Sequence, residues 1–230
     1  MIPDICGMHI LLAAATTFEI QPTIDVLGSR QGFGSHRFEP LITGVGGLAA
    51  AWSVMRQMCR SRPDLIIQAG IAGTLRDRKP GEVFVIGADE LADIGVWEEG
   101  RFKTLFDMQL AHGNNAPFTD GRLVNPYRRL MALAGLEVVG GLTVNEITTN
   151  PERIRWYQQN TPAVVESMEG APLHYVCLQE HVPFLQLRSV SNLVGVRDKS
   201  RWNIRGAIES LNERLIALLE DAALQKEILT

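Results

Sequence analysis

The stretch Leu65-Ile66-Ile67-Gln68-Ala69 decides the fold class of this chain, because it is a short run that is apolar on both faces. Pro63-Asp64 precedes it, and before that turn a helix pattern extends from Gly46 to Arg60. That helix carries one apolar face, formed by Leu48, Trp52, Met55 and Cys59. A strand that is apolar on both faces and adjoins a helix is typical of a largely parallel sheet covered by helices.

The same alternation of strand and helix patterns continues in both directions from this stretch. The predicted strands are His9–Ala15, Glu39–Thr43, Val83–Ile86, Glu137–Val144, Ala163–Val165 and Pro183–Val190. The predicted helices are Phe18–Leu27, Leu123–Ala134, Pro151–Gln158, Glu169–Gln179 and Trp202–Leu219, the last with Ile204, Ile208, Leu211 and Leu215 on one face. These patterns predict an α/β fold, a three-layer αβα sandwich with a mixed, largely parallel central sheet. No repeat or linker interrupts them, so we expect one domain over residues 1–230.

One segment, Gly95 to Gly121, is less regular than the rest. We expect it to form a long surface excursion, and segments of this kind often border a binding site.

The composition excludes several classes of protein. The 230 residues are 46% hydrophobic and 21% charged, with a net charge of −4, which argues against collagen, coiled coil and intrinsic disorder. The 22 basic residues are spread along the chain, so nucleic acid and anionic membranes are poor candidate partners. No apolar run approaches the roughly 18 residues of a membrane span.

The amino terminus and the cysteines indicate a cytoplasmic protein. Ile10–Ala15 is short and apolar, but Asp4 precedes it without any Lys or Arg, which argues against a signal peptide. The three cysteines, Cys6, Cys59 and Cys177, are odd in number and far apart. We therefore expect buried thiols in a reducing compartment.

A glycine-rich loop, Thr43-Gly44-Val45-Gly46-Gly47-Leu48-Ala49, lies between a strand and a helix and matches a loose dinucleotide fingerprint. That fingerprint also requires an acidic residue at the end of the next strand, whereas Asp64 stands at the start of that strand. A structural turn therefore explains the loop better than a nicotinamide or flavin site does.

Five segments together resemble the purine nucleoside phosphorylase and nucleosidase superfamily. They are Ala13–Glu19, Thr43–Gly46, Gln68–Gly73, Glu166–Ala171 and Arg188–Asn192, in matching order over essentially the whole chain. Within that superfamily the strongest resemblance is to the futalosine hydrolases, nucleosidases of a menaquinone pathway. It is carried by Gly70-Ile71-Ala72-Gly73, by Thr143-Val144-Asn145 and by the run from Ser191 to Trp202.

The resemblance implies hydrolysis of the N-glycosidic bond of futalosine, with release of hypoxanthine. In this family Glu19 corresponds to the carboxylate that activates water, and Glu169 to the carboxylate that binds the ribose hydroxyls. Met168 is expected to pack against the sugar. The competing structural explanations are helix N-terminal charges for Glu19 and Glu169 and ordinary core packing for Met168.

Asn192 is where this chain departs from the related methylthioadenosine/S-adenosylhomocysteine nucleosidases, which carry Asp at this position. An amide cannot supply a proton, but its two N–H groups can donate toward N7 and a 6-oxo group. This pattern favours hypoxanthine over adenine. The alternative is that Asn192, at a strand end, bonds its own backbone.

The phosphate ligands of the related phosphorylases are missing. Those enzymes carry an Arg where Gln68 stands and another in the loop after the first strand, whereas Thr16-Thr17-Phe18-Glu19 contains no basic residue. Water is therefore the expected nucleophile. The resemblance places the remaining substrate contacts at Gly44, Gly70, Ile71, Val144, Asn145 and Ile147.

The tail of futalosine carries a benzoate-type carboxylate, and Arg197, Lys199 and Arg201 are candidates to bind it, although a solvated charged loop explains them equally well. His174 and Cys177 stand one helical turn apart and fit a buried helix face better than a metal site. We expect no metal, no organic cofactor and, from the relatives, a homodimer or larger homo-oligomer.

Three alternatives remain at this point. The first is a methylthioadenosine/S-adenosylhomocysteine or aminodeoxyfutalosine nucleosidase that releases adenine. The second is a nucleoside-binding module without catalysis, since a fold can outlast its chemistry. The third is a nicotinamide-binding protein.

Overall fold

The computed structural model describes residues 7–29, 36–221 and 224. Asp4 and Cys6 therefore lie outside the described residues. The strands are β1 (His9–Ala14), β2 (Arg37–Ile42), β3 (Leu65–Thr74), β4 (Val83–Leu91), β5 (Gly95–Glu98), β6 (Arg101–Thr104), β7 (Leu123–Val124), β8 (Val138–Thr143), β9 (Ala163–Ser167) and β10 (Phe184–Leu193). The helices are α1 (Thr17–Ser29), α2 (Gly47–Arg60), α3 (Arg128–Leu133), α4 (Pro151–Asn160), α5 (Gly170–Gln179) and α6 (Ile204–Glu220), and a single 3₁₀ turn spans Lys199–Arg201.

The predicted mixed sheet, covered by helices and largely parallel, is confirmed. Its strand order is β10-β4-β8-β9-β3-β1-β2, and β7 pairs with β4. Strand β1 runs parallel to β2 and β3, β8 runs parallel to β4 and β9, and β10 runs parallel to β3. The contacts of β10 with β4, of β3 with β9 and of β4 with β7 are antiparallel.

The alternation along β1 shows how the helices cover the sheet on both sides. Ile10 and Leu12 join a buried cluster with Leu211 and Leu215 of α6, whereas Leu11 joins a second cluster on the other face, with residues of α2 and α5 such as Val54 and Leu173. Each fully buried aliphatic side chain contributes roughly 1.5–3 kcal/mol relative to an exposed one. The first strand is therefore central to both halves of the core.

The sheet also closes on itself, which the sequence patterns do not predict. Strand β3 pairs with β1 along its first half, with β10 along nearly all its length, and with β9 at its last two residues, Gly73 and Thr74. Since β10 also pairs with β4, the strands β3, β10, β4, β8 and β9 form a ring. The ring brings the carboxyl ends of β3, β8, β9 and β10 together at one place.

Three local predictions need correction. The predicted helix Leu123–Ala134 begins instead as β7, because Asn125-Pro126 interrupts the pattern and only Arg128–Leu133 is helical. The face of α2 that carries Leu48 and Trp52 is exposed, and the buried side of that helix consists of Ala50, Val54 and Met58. The excursion Gly95–Gly121 contains a two-stranded hairpin of β5 and β6.

The cysteines differ from the expectation of buried thiols in one respect. Cys177 is fully buried in α5, but Cys59, near the end of α2, is exposed. Burial raises the pKa of the Cys177 thiol, which keeps it protonated. In the described ranges, no helix combines the length and apolar character needed to cross a membrane.

Candidate active site

A cavity of about 370 Å³ lies where the carboxyl ends of β3, β8, β9 and β10 meet. The mouth of a closed sheet is a common place for a ligand site, and the residues that follow these strands line the cavity there. Apolar side chains dominate the lining, and a few polar groups are set among them, as is usual for small-molecule sites. The polar groups that matter below are Glu19, Glu166, Glu169, Asn192 and Arg197.

Glu19 lies in the first turn of α1, directly after β1, and is buried although it borders the cavity. Its Oε2 accepts hydrogen bonds from the backbone N–H of Thr16 at 3.0 Å and from the Thr16 hydroxyl at 3.1 Å. Its Oε1 accepts the N–H of Ile71 at 3.1 Å. The carboxylate therefore caps the helix, as the structural explanation expects, and is also held against the end of β3 at the cavity.

Glu169 is the residue that precedes α5, and its side chain is turned away from its own helix. Its Oε1 accepts the backbone N–H of Gly46 at 2.9 Å, and its Oε2 lies 3.7 Å from Nη2 of Arg188. The glycine-rich loop thus uses a free amide at the start of α2 to bind this carboxylate. This contact agrees with a structural role for the loop and not with a dinucleotide site.

Arg188 of β10 is almost completely buried and stands behind the carboxylates. Its Nη2 also donates to Oε1 of Gln68 at 2.9 Å, and Nε2 of Gln68 donates to the Glu169 carbonyl at 3.3 Å. A Cβ atom at Gly70 would collide with Nη1 of Arg188 and lie 2.9 Å from Oε1 of Glu19. Only glycine at position 70 leaves room for both side chains.

Asn192 near the end of β10 has a fixed amide orientation. Its Nδ2 donates to the Leu193 carbonyl at 3.0 Å, and its Oδ1 accepts the Ser191 hydroxyl at 2.8 Å. Since a carbonyl oxygen only accepts, the atom that faces Leu193 must be the amide nitrogen. One of the two amide N–H groups of Asn192 that were expected to donate to a purine therefore donates to the backbone instead. The other N–H group is left to donate to a ligand.

The cavity collects seven of the ten predicted site residues: Glu19, Ile71, Val144, Ile147, Met168, Glu169 and Asn192. Gly44, Gly70 and Asn145 do not line it. Gly70 supports Glu19 and Arg188 from behind, and the side chain of Asn145 donates to Oδ1 of Asp93 at 3.1 Å. None of the lining residues comes from the Gly95–Gly121 excursion, so the expectation that this segment borders the site is wrong for the cavity described.

Of the three candidate basic residues after β10, only Arg197 lines the cavity. Its guanidinium lies 5.4 Å from the ring centre of Trp202, whose Nε1 donates to the Val196 carbonyl at 2.7 Å. Lys199 and Arg201 belong to the exposed 3₁₀ turn. Arg197 is also the only basic residue among the described residues that line this cavity.

Comparisons with known proteins show the family of this chain. A sequence profile of the phosphorylase superfamily matches residues 40–223. A futalosine hydrolase of Acidothermus cellulolyticus is 34% identical over 77% of this chain and 73% of its own length. A futalosine hydrolase of Streptomyces coelicolor is 30% identical over 90% of this chain and 93% of its own. The chain belongs to the futalosine hydrolase family of the phosphorylase superfamily.

The fold of this family member is shared with more distant proteins. The crystal structure of a 5'-methylthioadenosine/S-adenosylhomocysteine nucleosidase from Helicobacter pylori superimposes with a TM-score of 0.79. It covers 93% of this chain and 98% of its own, at 16% sequence identity. The family resemblance and the fold class that the sequence predicts are both confirmed.

Sequence reasoning assigned no role to two residues of this futalosine hydrolase family site, Arg188 and Glu166. Each is the only charged residue of its strand, Arg188 in β10 and Glu166 in β9. A charged residue in a strand that is predicted to be buried is visible in the sequence. It indicates a site residue, because a buried charge is retained only with a partner or a function.

The interior next to the site holds further polar groups. Asp89 accepts the Thr143 hydroxyl at 2.8 Å, and Thr143 accepts the N–H of Ala171 at 2.7 Å.

His174 and Cys177 are both fully buried on α5, as expected, and Nδ1 of His174 lies 2.9 Å from the Leu123 carbonyl. Burial lowers the pKa of His174, so it is neutral. Among the described residues, no three side chains of the metal-ligating types form a cluster.

Proposed function

We propose that this protein is a nucleosidase that hydrolyses the N-glycosidic bond of futalosine and releases hypoxanthine, in a futalosine route to menaquinone. The observation that carries the proposal is that Glu19, Glu169 and Asn192 border one cavity in a chain of this family. Dehypoxanthine futalosine is the second product. A cytoplasmic location belongs to the same proposal.

In the proposed reaction the C1′–N9 bond breaks and its electron pair leaves with the purine, while positive charge develops on the sugar. Glu19 takes a proton from a water molecule as the water oxygen bonds to C1′. Glu169 accepts hydrogen bonds from the 2′- and 3′-hydroxyls and opposes the charge of the sugar, so its contribution grows toward the transition state. The remaining N–H of Asn192 donates toward the departing base.

Two features of the site support water over phosphate as the nucleophile. The Glu19 side of the cavity has no basic residue among the described lining residues, and Gln68 is committed to Arg188 and to the Glu169 carbonyl. Arg188 stands next to Oε2 of Glu169, so its charge is already balanced. A phosphate dianion would lack the basic partners that normally hold it.

The position of Arg197 supports a binding site for the carboxylate of the futalosine tail. Arg197 lies on the cavity beside the fixed Trp202 ring, and guanidinium groups bind carboxylates with two parallel hydrogen bonds. We assign the carboxylate of the futalosine tail to Arg197. Ile204 and Val196 provide apolar surface beside it.

The apolar surface around the cavity supports a homodimer or larger homo-oligomer as part of this proposal. Phe18, Val45 and Ile147 line the cavity and are exposed, and Leu48 and Trp52 continue the apolar surface along α2. An exposed apolar patch of this kind is typical of an association surface.

The test is a substrate panel in phosphate-free buffer: futalosine, aminodeoxyfutalosine, methylthioadenosine and inosine. We expect free hypoxanthine from futalosine without phosphate, and weaker turnover of inosine, which lacks the tail. Strict dependence on phosphate would disprove hydrolysis. Faster release of adenine from the 6-amino substrates would favour the related nucleosidase activity, and no turnover of any substrate would favour a binding module.

A further inference from the structure

Asn192 and Glu166 flank Gly73 in one row across three neighbouring strands. In the pairing of β10 with β3, Asn192 is the partner of Gly73, and in the pairing of β3 with β9, Glu166 is the partner of the same glycine. Adjacent strands are about 4.8 Å apart, so the two flanking residues are separated by about 10 Å. The central position carries no side chain, which leaves a slot between an amide and a carboxylate.

The slot belongs to the cavity described above, since Gly73, Glu166 and Asn192 all line it. A Cβ at Gly73 would lie 3.6 Å from Nδ2 of Asn192 and 2.9 Å from Cγ2 of Val194. Any side chain at position 73 would therefore occupy the space in front of the Asn192 amide nitrogen. The glycine leaves that space free of a side chain of its own, and the Val194 methyl group stands beside it.

One carboxylate oxygen of Glu166 accepts no hydrogen bond from the described residues. The residue is 7% exposed, its Oε1 accepts the backbone N–H of Thr148 at 3.1 Å, and its Oε2 has no hydrogen-bond partner among the described residues. Burial raises the pKa of this carboxyl group. An unsatisfied buried acceptor is costly, and a ligand donor would remove that cost.

A 6-oxopurine offers the complementary pattern to this slot. Its O6 and N7 are acceptors and its N1–H is a donor, whereas adenine has an acceptor at N1 and a donor at the 6-amino group. Asn192 supplies an N–H on one side, and Glu166 supplies an acceptor on the other. Glu19 and Glu169 are held elsewhere in the cavity, by Ile71 and by Gly46.

We infer that Glu166 is a specificity-determining residue that accepts the N1–H of a 6-oxopurine base, opposite the Asn192 amide. The inference rests on the proposed function and extends it to the recognition of the base. It assigns the preference for hypoxanthine over adenine to a carboxylate and an amide acting together. Without Glu166, the N–H of Asn192 alone would not distinguish the two bases at N1.

The decisive variant is Glu166→Gln. Its Oε1 can still accept the N–H of Thr148, while an NH₂ group takes the place of Oε2 and opposes the N1–H donor. We expect kcat/KM for futalosine to fall about 10- to 100-fold, the usual effect of losing a hydrogen bond to a charged group. For aminodeoxyfutalosine, whose N1 is an acceptor, kcat/KM should stay unchanged or rise.

Binding of the free bases provides a readout that does not depend on turnover. Calorimetry should show that the wild-type protein binds hypoxanthine more tightly than adenine and than 1-deazahypoxanthine, which has C–H in place of N1–H. In Glu166→Gln, the advantage of hypoxanthine over its 1-deaza analogue should disappear. Glu146→Gln, a change of an exposed carboxylate in the neighbouring loop, should alter none of these ratios.

The two claims fail in different ways. If the wild-type protein binds hypoxanthine preferentially but cleaves no nucleoside, the proposed function is wrong and the role of Glu166 stands on the binding ratios. If Glu166→Gln weakens both bases equally, or leaves the ratios as they were, Glu166 has only a structural role and the inference is overturned. Failure of the wild-type protein to bind hypoxanthine also overturns it.

Discussion

At the scale of single residues, Glu19 shows how one side chain combines a helix cap with a position at the cavity. Oε2 satisfies the start of α1 through Thr16, and Oε1 is held by the N–H of Ile71 at the cavity. These contacts fix the carboxylate before any ligand binds. Preorganisation of this kind lowers the cost of placing a general base.

Replacement of Glu19 by Gln removes the base and keeps the size of the side chain. We expect kcat for futalosine to fall about 10²- to 10⁴-fold, the usual contribution of a general base, while ligand binding persists. Steady-state kinetics and calorimetric binding of a non-cleavable nucleoside measure the two effects. Asp25→Asn, on the exposed side of α1, is the matched control. Full turnover in Glu19→Gln would contradict the mechanism.

A second residue-scale prediction concerns Gly70, where a methyl group would meet Arg188 and Glu19. We expect Gly70→Ala to lower the free energy of unfolding by about 1–3 kcal/mol, because the buried guanidinium must shift. Gly28→Ala is the control, since no atom lies within 4 Å of the added methyl group. In α1 that change should stabilise the protein by about 0.5–1 kcal/mol. Urea denaturation measures both, and equal effects would refute the steric explanation.

At the scale of elements, most helices and strands follow from hydrophobic periodicity, but their orientation does not. In α2 both faces carry apolar residues, and the sequence pattern does not tell which face is buried. The smaller side chains of Ala50 and Val54 pack on the sheet, while Leu48 and Trp52 face outward. Strand pairing is equally non-local, so the closure of the sheet through β10 could not be predicted.

The site was predictable to the extent that its residues follow strand ends. Glu19, Glu169 and Asn192 each lie at a junction between a strand and a helix or at a strand end, and the family resemblance gave them roles. Glu166 is different, because its importance depends on the register of β9 against β3, which places it beside Gly73. Registers are set by tertiary packing, and no local pattern encodes them.

Strand β4 carries two neighbouring carboxyl groups, Asp89, which is buried, and Glu90, which is half-buried. Burial raises the pKa of Glu90 to about 7, against an ordinary value of 4.5, with Arg122 opposing the shift and Asp89 adding to it. The folded state therefore binds this proton more tightly than the unfolded state, and stability is lost as the pH rises from about 4.5 to about 7.

Glu90→Gln should remove this loss and flatten the dependence of stability on pH. We expect the variant to gain up to roughly 3 kcal/mol on the wild-type protein between pH 5 and pH 8. Urea denaturation at the two pH values measures the difference, and Glu213→Gln, on the exposed side of α6, should leave the wild-type slope in place. If the stability of Glu90→Gln falls with pH as steeply as that of the wild-type protein, the ionisation of Glu90 does not destabilise the folded state.

At the scale of the whole molecule, the exposed apolar residues form the feature that a monomer explains least well. Leu48 is 87% exposed and Trp52 is 60% exposed, on a helix whose start contacts the cavity loops. Phe18, Val45 and Ile147 extend the same surface around the cavity. A net charge of only −4 puts little repulsion between two copies. We expect a second copy of this chain to cover this surface.

Sedimentation or light scattering of the purified protein should give at least twice the chain mass of 25.4 kDa. The double variant Leu48→Glu with Trp52→Glu should shift the species to the monomer, because two charges would be buried without partners. Val138→Glu introduces the same charge at an exposed apolar residue at the start of β8, and it should leave the assembly intact. A wild-type monomer would contradict the assignment. If both variants dissociate alike, the added charge and not the α2 surface is responsible.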